Sequence, residues 1–393
     1  MQLFIPDSEF IKRQEKLKAK LREKDVNGMV IFNVTDIIYL TNFNFRPSER
    51  PVAFLLDPDG KTHLFVPKLE KEHAEEYAIV EYVHEYPEYP GANHPMTYFK
   101  EVLIKSGYEH RVIGVDSLSY SSPKGYRGKA LDQLIEASSF VSIQGVVEEM
   151  RMIKSEKEIE LIKESCKWGN LAHQLLVKYS EPGANENEIS SRATSEASKI
   201  MIDTIGEIAS FHGPPISVFY RGQIGKHSYF PHSQSQNFRL KEGDQVVSQS
   251  EASVGGYRSE LERTMFIKDI SKEQEKYMRL VKKAQEIAFE SIIPGKPFSF
   301  VEEKVRAFYR ENNVEDLIRH HTGHNIGLIN HEMPFFDLGE ETIMQPGMVA
   351  TIEPALYVKE LGGFRHSDTI LITDNGAERL TYYPLDLDKL VIN

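Results

Sequence analysis

The sequence predicts an α+β protein of two units, and three features of the chain indicate this. Apolar residues make up 40% and charged residues 27% of the 393 positions, which is typical of a globular chain with a sizeable core. Up to about residue 145, short apolar runs alternate with polar turns. Beyond Met150, long segments with helix-start signals alternate with β-like runs. We therefore expect a mixed α/β unit over residues 1–150 and a larger unit over residues 151–393.

The first unit opens with an amphipathic helix. Residues 9–24 place Phe10, Leu17 and Leu21 on one side among charged residues, and Asn27-Gly28 ends the pattern. A second helix-like stretch covers residues 96–106. Strands are expected at 29–32, 52–56, 62–66 and 112–115.

The second unit contains three helix-start motifs in which a serine precedes Glu or Gln by three residues. They predict helices over about 156–179, 272–292 and 300–312, starting from the pairs Ser155 and Glu158, Ser271 and Gln274, Ser299 and Glu302. The β-like runs lie at 245–248, 265–267, 348–352 and 369–372. Since turns separate most of these runs, we expect an antiparallel sheet.

Composition also excludes several functional classes. Acidic residues outnumber basic ones by 59 to 47, and no basic cluster offsets the net charge of -12, so nucleic acid and anionic membranes are not expected partners. A single cysteine, Cys166, excludes an intramolecular disulfide framework and suits a reducing compartment. The start of the chain lacks a secretory signal, and no apolar run approaches the roughly 18 to 20 residues of a membrane helix. We expect a cytoplasmic protein.

Four segments of the second unit combine ionisable residues with glycine or proline. They are 229–232 with His232, 255–264 with Glu260 and Glu262, 320–327 with His324, and 351–354 with Glu353 followed by 362–369. Glu260 and Glu262 lie two positions apart on a predicted strand and so face the same side. Two adjacent carboxylates are unfavourable without a cation between them.

Each segment alone also has an ordinary structural explanation. A single histidine such as His232 is more often a surface residue than a catalytic one. The two glutamates could belong to a salt-bridge network with Arg258, Arg263 or Arg365. We interpret His320 and His321 as polar residues at a helix end.

Taken together, the order and spacing of these segments resemble the creatinase/prolidase/methionine aminopeptidase family. The resemblance spans nearly the whole chain and implies a pita-bread catalytic domain after a smaller creatinase-like N-terminal domain. It rests on Arg151-Met152-Ile153-Lys154-Ser155, Gly323-His324-Asn325-Ile326-Gly327, Gly347-Met348-Val349, Ile352-Glu353-Pro354 and Gly363-Phe364-Arg365.

The resemblance also implies a set of metal-binding positions. Metallopeptidases of this family hold two divalent ions with two Asp, one His and two Glu. These positions fall on Gln249, Glu260, His324, Glu353 and Ser367. Two acids are replaced by neutral side chains, so we expect no dinuclear cluster. A single, weakly bound ion at Glu260, His324 and Glu353 stays open, but the leading interpretation has no metal cofactor.

Creatinase-like members of the family work without metal, and the local match to them is close. The resemblance makes His232 the general acid and base, with Glu262 and Glu353 holding the guanidinium group of a substrate. The leading hypothesis is a metal-independent, creatinase-like amidinohydrolase that cleaves a C–N bond of a small guanidino or amidino compound.

Substrate binding in this hypothesis involves Arg50, Arg258, Glu260 and His324. The resemblance implies a homodimer in which a loop of the N-terminal domain carries Arg50 to the active site of the partner subunit. Arg258 has two interpretations of equal weight: it binds an anionic substrate, or it neutralises Glu260 or Glu251.

Two other functions remain open. One is a metal-dependent Xaa-Pro dipeptidase or aminopeptidase that uses Mn²⁺ or Co²⁺ and draws in Glu251, His366 or Asp368 as ligands. The other is a non-catalytic binding protein on the pita-bread scaffold, which would not need His232, Glu262, His324 and Glu353 together.

Overall fold

Residues 3–88, 91–121, 125, 128–206 and 214–393 are described by the structure, which is a computed structural model. They form two units, Ile5–Arg151 and Met152–Asn393, with Leu3 and Phe4 belonging to the second. No helix among these residues combines the length and the apolar character of a membrane span.

The first unit is built on a mixed sheet with strand order β4-β3-β2-β1-β5-β6. Strands β1 to β3 pair antiparallel, and the three outer pairings are parallel. Its strands are β1 Gly28–Ile31, β2 Ala53–Leu56, β3 Thr62–Pro67, β4 Tyr82–Tyr86, β5 Val112–Val115 and β6 Ser139–Ser142, and the helices up to its end are α1 Asp7–Glu23, α2 Val34–Thr41, α3 Lys71–Tyr77, α4 Pro95–Lys105 and α5 Val146–Met152. Helix α1 buries Phe10, Leu17 and Leu21, as the sequence pattern predicts.

The second unit contains long helices and a sheet that is antiparallel, as expected, except where β17 pairs parallel with β9. The main path of this sheet runs β11-β10-β12-β15-β9-β8-β7, with β16 beside β15, while β13 and β14 form a separate pair. The helices are α6 Glu156–Lys178, α7 Glu186–Ile205, α8 Lys272–Glu290 and α9 Ser299–Glu311. The strands are β7 Ile216–Phe219, β8 Gln245–Val254, β9 Tyr257–Ile267, β10 His324–Asn325, β11 Glu332–Phe335, β12 Val349–Ile352, β13 Ala355–Val358, β14 Gly362–Arg365, β15 Ser367–Thr373, β16 Gly376–Arg379 and β17 Val391–Ile392.

Two of the three predicted helix-start motifs are confirmed. Ser155 caps α6 and Ser271 caps α8, each through reciprocal side-chain and backbone hydrogen bonds. The third motif predicts a helix that is present as α9, but its serine cap is wrong, because Phe298 is the residue before α9 and no side chain caps the helix. The carboxylate of Glu302 instead accepts hydrogen bonds from the backbone and hydroxyl of Thr322 and contacts Arg306. This glutamate therefore anchors the segment just before His324.

A hydrophobic core supports the sheet strands that carry the candidate site. Helix α8 contributes Val281 and Ala284, and α9 contributes Val301 and Val305. They pack in one cluster with residues of β9, β12 and β15, among them Phe266, Ile352, Ile370 and Ile372. Burying each such side chain stabilises the folded state by roughly 1.5–3 kcal/mol. The strands are therefore held in fixed positions, and so are the polar side chains that they carry.

Candidate active site

Three strands bring two carboxylates and one imidazole to one point of the second unit. Glu260 lies in β9, His324 opens β10, and Glu353 follows the end of β12. His324 Nε2 lies 3.2 Å from Glu353 Oε1 and 4.0 Å from Glu260 Oε2, and the three ligand atoms lie within 4.8 Å of one another. All three side chains are buried, and buried carboxylates require a cation or hydrogen-bond donors. The cluster is a candidate metal centre.

Hydrogen bonding fixes the orientation of the His324 ring. Its Nδ1 lies 3.0 Å from the carbonyl oxygen of Asn325, and because a carbonyl only accepts, Nδ1 carries the proton. Nε2 faces the two carboxylates and lies 3.2 Å from Glu353 Oε1. A cation that displaced the Nε2 proton would therefore meet the Nε2 lone pair and both carboxylates together. A backbone carbonyl behind a histidine is a common support of a metal ligand.

Burial and mutual interactions shift the pKa of each member of this cluster. Burial, and then the charge of Glu353, raise the pKa of Glu260 to about 7. Burial disfavours ionisation of the other two groups, but the contact between them outweighs it. That contact lowers the pKa of Glu353 and raises the pKa of His324 to about 9. Two carboxylates beside one imidazole attract a cation.

The donor set fits one divalent cation. One imidazole nitrogen and two carboxylates are ligands that Mn²⁺, Co²⁺ and Zn²⁺ accept. The remaining two positions implied by the family resemblance are neutral. Gln249 Nε2 donates to Glu251 Oε1 at 2.6 Å, and Ser367 Oγ donates to Glu260 Oε1 at 2.8 Å. The described residues thus offer one three-residue metal group here rather than ligands for two ions.

A cavity of about 300 Å³ opens over this cluster. Glu260 and Glu262 both line it, as the alternation of side chains along β9 predicts. The residues that line it are Arg221, Pro231, His232, Gln249, Glu260, Glu262, Arg319, His320, His321, His331, Glu353 and Arg365. The volume suits a small molecule.

His232 belongs to the cavity wall, where the structure places it with the predicted carboxylates. His232 is largely exposed, but partial desolvation by the cavity wall lowers its pKa, and the positive charges of Arg221 and Arg365 lower it further. The ring is therefore neutral at pH 7, which is the form that accepts a proton.

Glu262 has a different role from the one expected for it. Its carboxylate holds a guanidinium group, but this group belongs to Arg365: Arg365 Nε lies 2.5 Å from Glu262 Oε2, and Nη2 donates to Oε1 at 2.7 Å. Both side chains are buried. Because an internal cation already neutralises Glu262, it does not serve as the receptor of a cationic substrate.

Two predicted substrate-binding arginines do not lie in the cavity wall of the second unit. Arg258 donates to Asn330 Oδ1 and the carbonyl of Leu328 and lies 3.8 Å from Glu251, which agrees with its interpretation as a neutralising charge. Arg50 belongs to the first unit, where it pairs with Glu49 and Glu88. Its reach into a partner subunit stays a prediction.

The alternative ligand set is not assembled. Asp368 binds Arg263 at 2.8 Å and accepts a hydrogen bond from Thr381. Glu251 is engaged by Gln249, and His366 is fully buried and belongs to no metal-binding group among the described residues.

Sequence reasoning missed several cavity residues. The interpretation of His320 and His321 as helix-end residues is wrong, because both line the cavity and His320 Nε2 lies 2.9 Å from the Tyr357 hydroxyl. His331 stacks on His324 with ring centroids 3.9 Å apart. Arg221 and Arg319 gave no local signal.

Comparisons with known proteins agree with this geometry. Residues 160–374 match the metallopeptidase family M24, and residues 13–153 match the creatinase/prolidase N-terminal domain. An Xaa-Pro dipeptidase of Pyrococcus horikoshii is 30% identical over 376 residues, which cover 93% of this chain and 97% of the relative. An Xaa-Pro dipeptidase of Pyrococcus furiosus is 28% identical over 94% of this chain and 97% of its own length. The crystal structure of a prolidase from Pyrococcus horikoshii superposes with a TM-score of 0.79 at 26% identity, covering 96% of this chain and 99% of that one.

These matches correct the leading hypothesis from the sequence. A metal-independent amidinohydrolase without a cofactor disagrees with a metallopeptidase match, with relatives named Xaa-Pro dipeptidases, and with a buried group of metal-binding donors. Two of the family's acidic positions are neutral here, yet the three remaining ligands lie together. The pita-bread fold and the two-domain architecture are confirmed. The chain belongs to metallopeptidase family M24 and is a hydrolase of peptide C–N bonds.

Proposed function

We propose that this protein is a metal-dependent dipeptidase that hydrolyses Xaa-Pro dipeptides. The observation that carries the proposal is the convergence of Glu260, His324 and Glu353 at one point, beside a cavity of about 300 Å³ whose wall includes the two glutamates. Near full-length relatives that are named Xaa-Pro dipeptidases support the substrate class. A cavity of this size suits a dipeptide better than a long peptide.

The three ligand residues would hold one divalent cation, which when bound supplies Lewis-acid polarisation of a carbonyl group. His324 is oriented by Asn325, and Glu260 by the hydroxyl of Ser367. These contacts hold the donors in place before the cation arrives. Since Gln249 and Ser367 are neutral, we expect one equivalent of metal rather than two.

His232 is the proposed general base and acid. Its neutral ring accepts a proton from water as the water oxygen attacks the peptide carbonyl carbon. The ring then returns this proton to the proline nitrogen as the C–N bond breaks, which gives a free amino acid and free proline. The lowered pKa of His232 keeps the ring in the accepting form at neutral pH.

The wider assembly is part of the same proposal. We expect a cytoplasmic homodimer in which Arg50 of one subunit reaches the active site of the other. Sedimentation velocity of wild type and an Arg50→Gln variant, combined with kinetics, tests this. Loss of activity in an intact dimer is the expected result, and full activity in a stable monomer would contradict it.

Metal reconstitution tests the main proposal. Protein stripped with a chelator should lose its activity on Ala-Pro and regain it with Mn²⁺ or Co²⁺, with one equivalent bound by elemental analysis. A panel of Ala-Pro, Pro-Ala and Ala-Ala tests the substrate class, and Ala-Pro should be preferred. Full turnover by verified metal-free protein, or no preference for proline, would contradict the proposal.

A further inference from the structure

Arg221 brings to the cavity a positive charge that no carboxylate of the described residues pairs with. Among the other charged lining residues, Glu262 and Arg365 neutralise each other, and Glu260 and Glu353 belong to the metal group. Arg221 has no ion pair within 4.0 Å among the side chains that the structure describes. Within the described part of the chain, its side chain makes one hydrogen bond, from Nη2 to the carbonyl oxygen of Pro231 at 3.2 Å. Its Nε is buried and has no hydrogen-bond partner among the same residues.

The backbone holds Arg221 in an uncommon conformation. Its φ of 49° lies in the left-handed region, which costs free energy for a residue other than glycine and is often retained for function. The next residue is fixed: Gly222 N donates to Glu186 Oε2 at 2.8 Å, and a Cβ there would lie 2.0 Å from the carbonyl oxygen of Gln234. The same Glu186 carboxylate also accepts from the backbone of Gln236 and Phe238. The guanidinium is therefore presented by a rigid loop.

Arg221 lies close enough to the reacting groups to influence them. It contacts Pro231, the residue before His232. Its charge contributes, after burial, to the lowered pKa of His232. A group bound by this guanidinium would sit beside the proposed base.

The other arginines of the cavity are less suited to bind an anion. Arg365 directs Nε and Nη2 to Glu262, and Nη1 lies 3.3 Å from the Tyr357 hydroxyl. Arg319 is exposed, and Nη1 donates to the carbonyl oxygens of Asp316 and Ile318. Among these three arginines, only Arg221 is half-buried and also has a buried Nε without a hydrogen-bond partner among the described residues.

We propose that Arg221 binds the free carboxylate of the peptide substrate and so determines specificity for substrates with a free C-terminus. This inference rests on the proposed function, since the substrate is taken to be a dipeptide. A guanidinium recognises a carboxylate through two parallel, charge-assisted hydrogen bonds. Nη2 carries two hydrogens and the contact with Pro231 uses one of them, so the other remains to form such a pair together with the nitrogen on its own edge of the guanidinium, Nε or Nη1.

The test compares Ala-Pro with Ala-Pro amide, which lacks the carboxylate. Wild type should prefer Ala-Pro by roughly 10- to 100-fold in kcat/KM, since the amide leaves the guanidinium without its anion. Arg221→Gln should remove most of this preference by raising KM for Ala-Pro, and Arg221→Lys should restore part of it. The control, Arg239→Gln, changes an exposed arginine outside the cavity and should keep the full preference. Retention of the preference by Arg221→Gln, or its loss in Arg319→Gln instead, would overturn the inference.

Calorimetry separates this inference from the proposed function. L-proline and L-prolinamide are titrated into Mn²⁺-loaded wild type and Arg221→Gln, with thermal melting to verify folding. Stronger binding of proline in wild type, lost in the folded variant, supports Arg221 as the carboxylate site whatever the protein hydrolyses. Equal binding of the two probes by wild type overturns it. Failure of wild type to hydrolyse any dipeptide would overturn the proposed function alone.

Discussion

Glu260 and Glu262 stand two residues apart on β9 and line the same cavity, yet their surroundings differ. Glu262 meets the guanidinium of Arg365 at 2.5 Å, so an internal cation neutralises it. Glu260 meets the hydroxyl of Ser367 and the imidazole of His324, and no Lys or Arg among the described residues lies within 4.0 Å of it. One end of the cavity is thus a closed ion pair, and the other is a group of ligands.

The difference shows how one strand face can serve structure and chemistry together. A buried carboxylate is stable only with a cation or strong donors, and the chain supplies a cation to Glu262 alone. Burial raises the pKa of both glutamates, to about 7 for Glu260 and about 8 for Glu262, so the 2.5 Å contact with Arg365, rather than the pKa, distinguishes them. The position of Arg365 therefore decides which glutamate is available to a metal.

The largest effect should come from removing one of the three proposed metal ligands. Glu353→Gln removes one of two carboxylates and leaves His324 without its 3.2 Å partner. We expect loss of the bound metal and a fall in kcat of about 10³-fold or more, because Lewis-acid stabilisation is worth several kcal/mol and each 1.36 kcal/mol is about tenfold. Elemental analysis and steady-state kinetics measure this. Glu311→Gln, on an exposed site at the end of α9, is the control; bound metal at wild-type affinity in Glu353→Gln would contradict the ligand assignment.

Substitution of the proposed base separates catalysis from metal binding. His232→Ala should keep one equivalent of metal, unlike Glu353→Gln, because His232 is not among the ligand group. Its kcat should fall at least about a hundredfold, the usual contribution of a general base. Isothermal titration with Mn²⁺ and kinetics on Ala-Pro measure the two quantities. If activity is retained, another group moves the proton.

Part of this arrangement could be predicted from local sequence. The period of two along a strand correctly put Glu260 and Glu262 on one face, and local helix-start motifs identified α6 and α8. The third motif failed because Glu302 is engaged by Thr322, 20 residues further on. Local helix-capping rules do not take account of hydrogen bonds from residues far along the chain, such as Thr322.

The partners inside the cavity depend on contacts that a linear pattern does not contain. Three arginines were candidates for the glutamate pair, and only the fold selects Arg365, 103 residues after Glu262. Loss of two acidic positions left open whether a single ion binds, since charge counting cannot show whether the three remaining ligands converge. Arg221 carried no signal because an Arg-Gly pair is common in loops, and its importance comes from the absence of a carboxylate partner among the described residues.

Removing the ion pair between Glu262 and Arg365 should lower stability more than it lowers metal binding. Glu262→Gln leaves the buried guanidinium of Arg365 without its anion, so the free energy of unfolding should fall by about 3–5 kcal/mol. Urea denaturation with the slope held constant measures this change. The double variant Glu262→Met with Arg365→Met removes both charges and should recover most of the loss. Equal destabilisation by the single and double variants would show that packing, not charge, is the cause.

The smallest expected effect should come from removing the hydrogen bond that orients the Glu260 carboxylate. Ser367→Ala removes the hydroxyl that donates to the Glu260 carboxylate at 2.8 Å, so that carboxylate is less well oriented. Loss of such a support typically lowers metal affinity by about 10-fold or somewhat more, without preventing binding. Competition with a chelating dye measures the affinity. Ser198→Ala is the matched control, since Ser198 is buried in α7 and its Oγ has no hydrogen-bond partner in the described part of the chain. Equal metal affinity in both variants would mean that the strand backbone, rather than Ser367, orients Glu260.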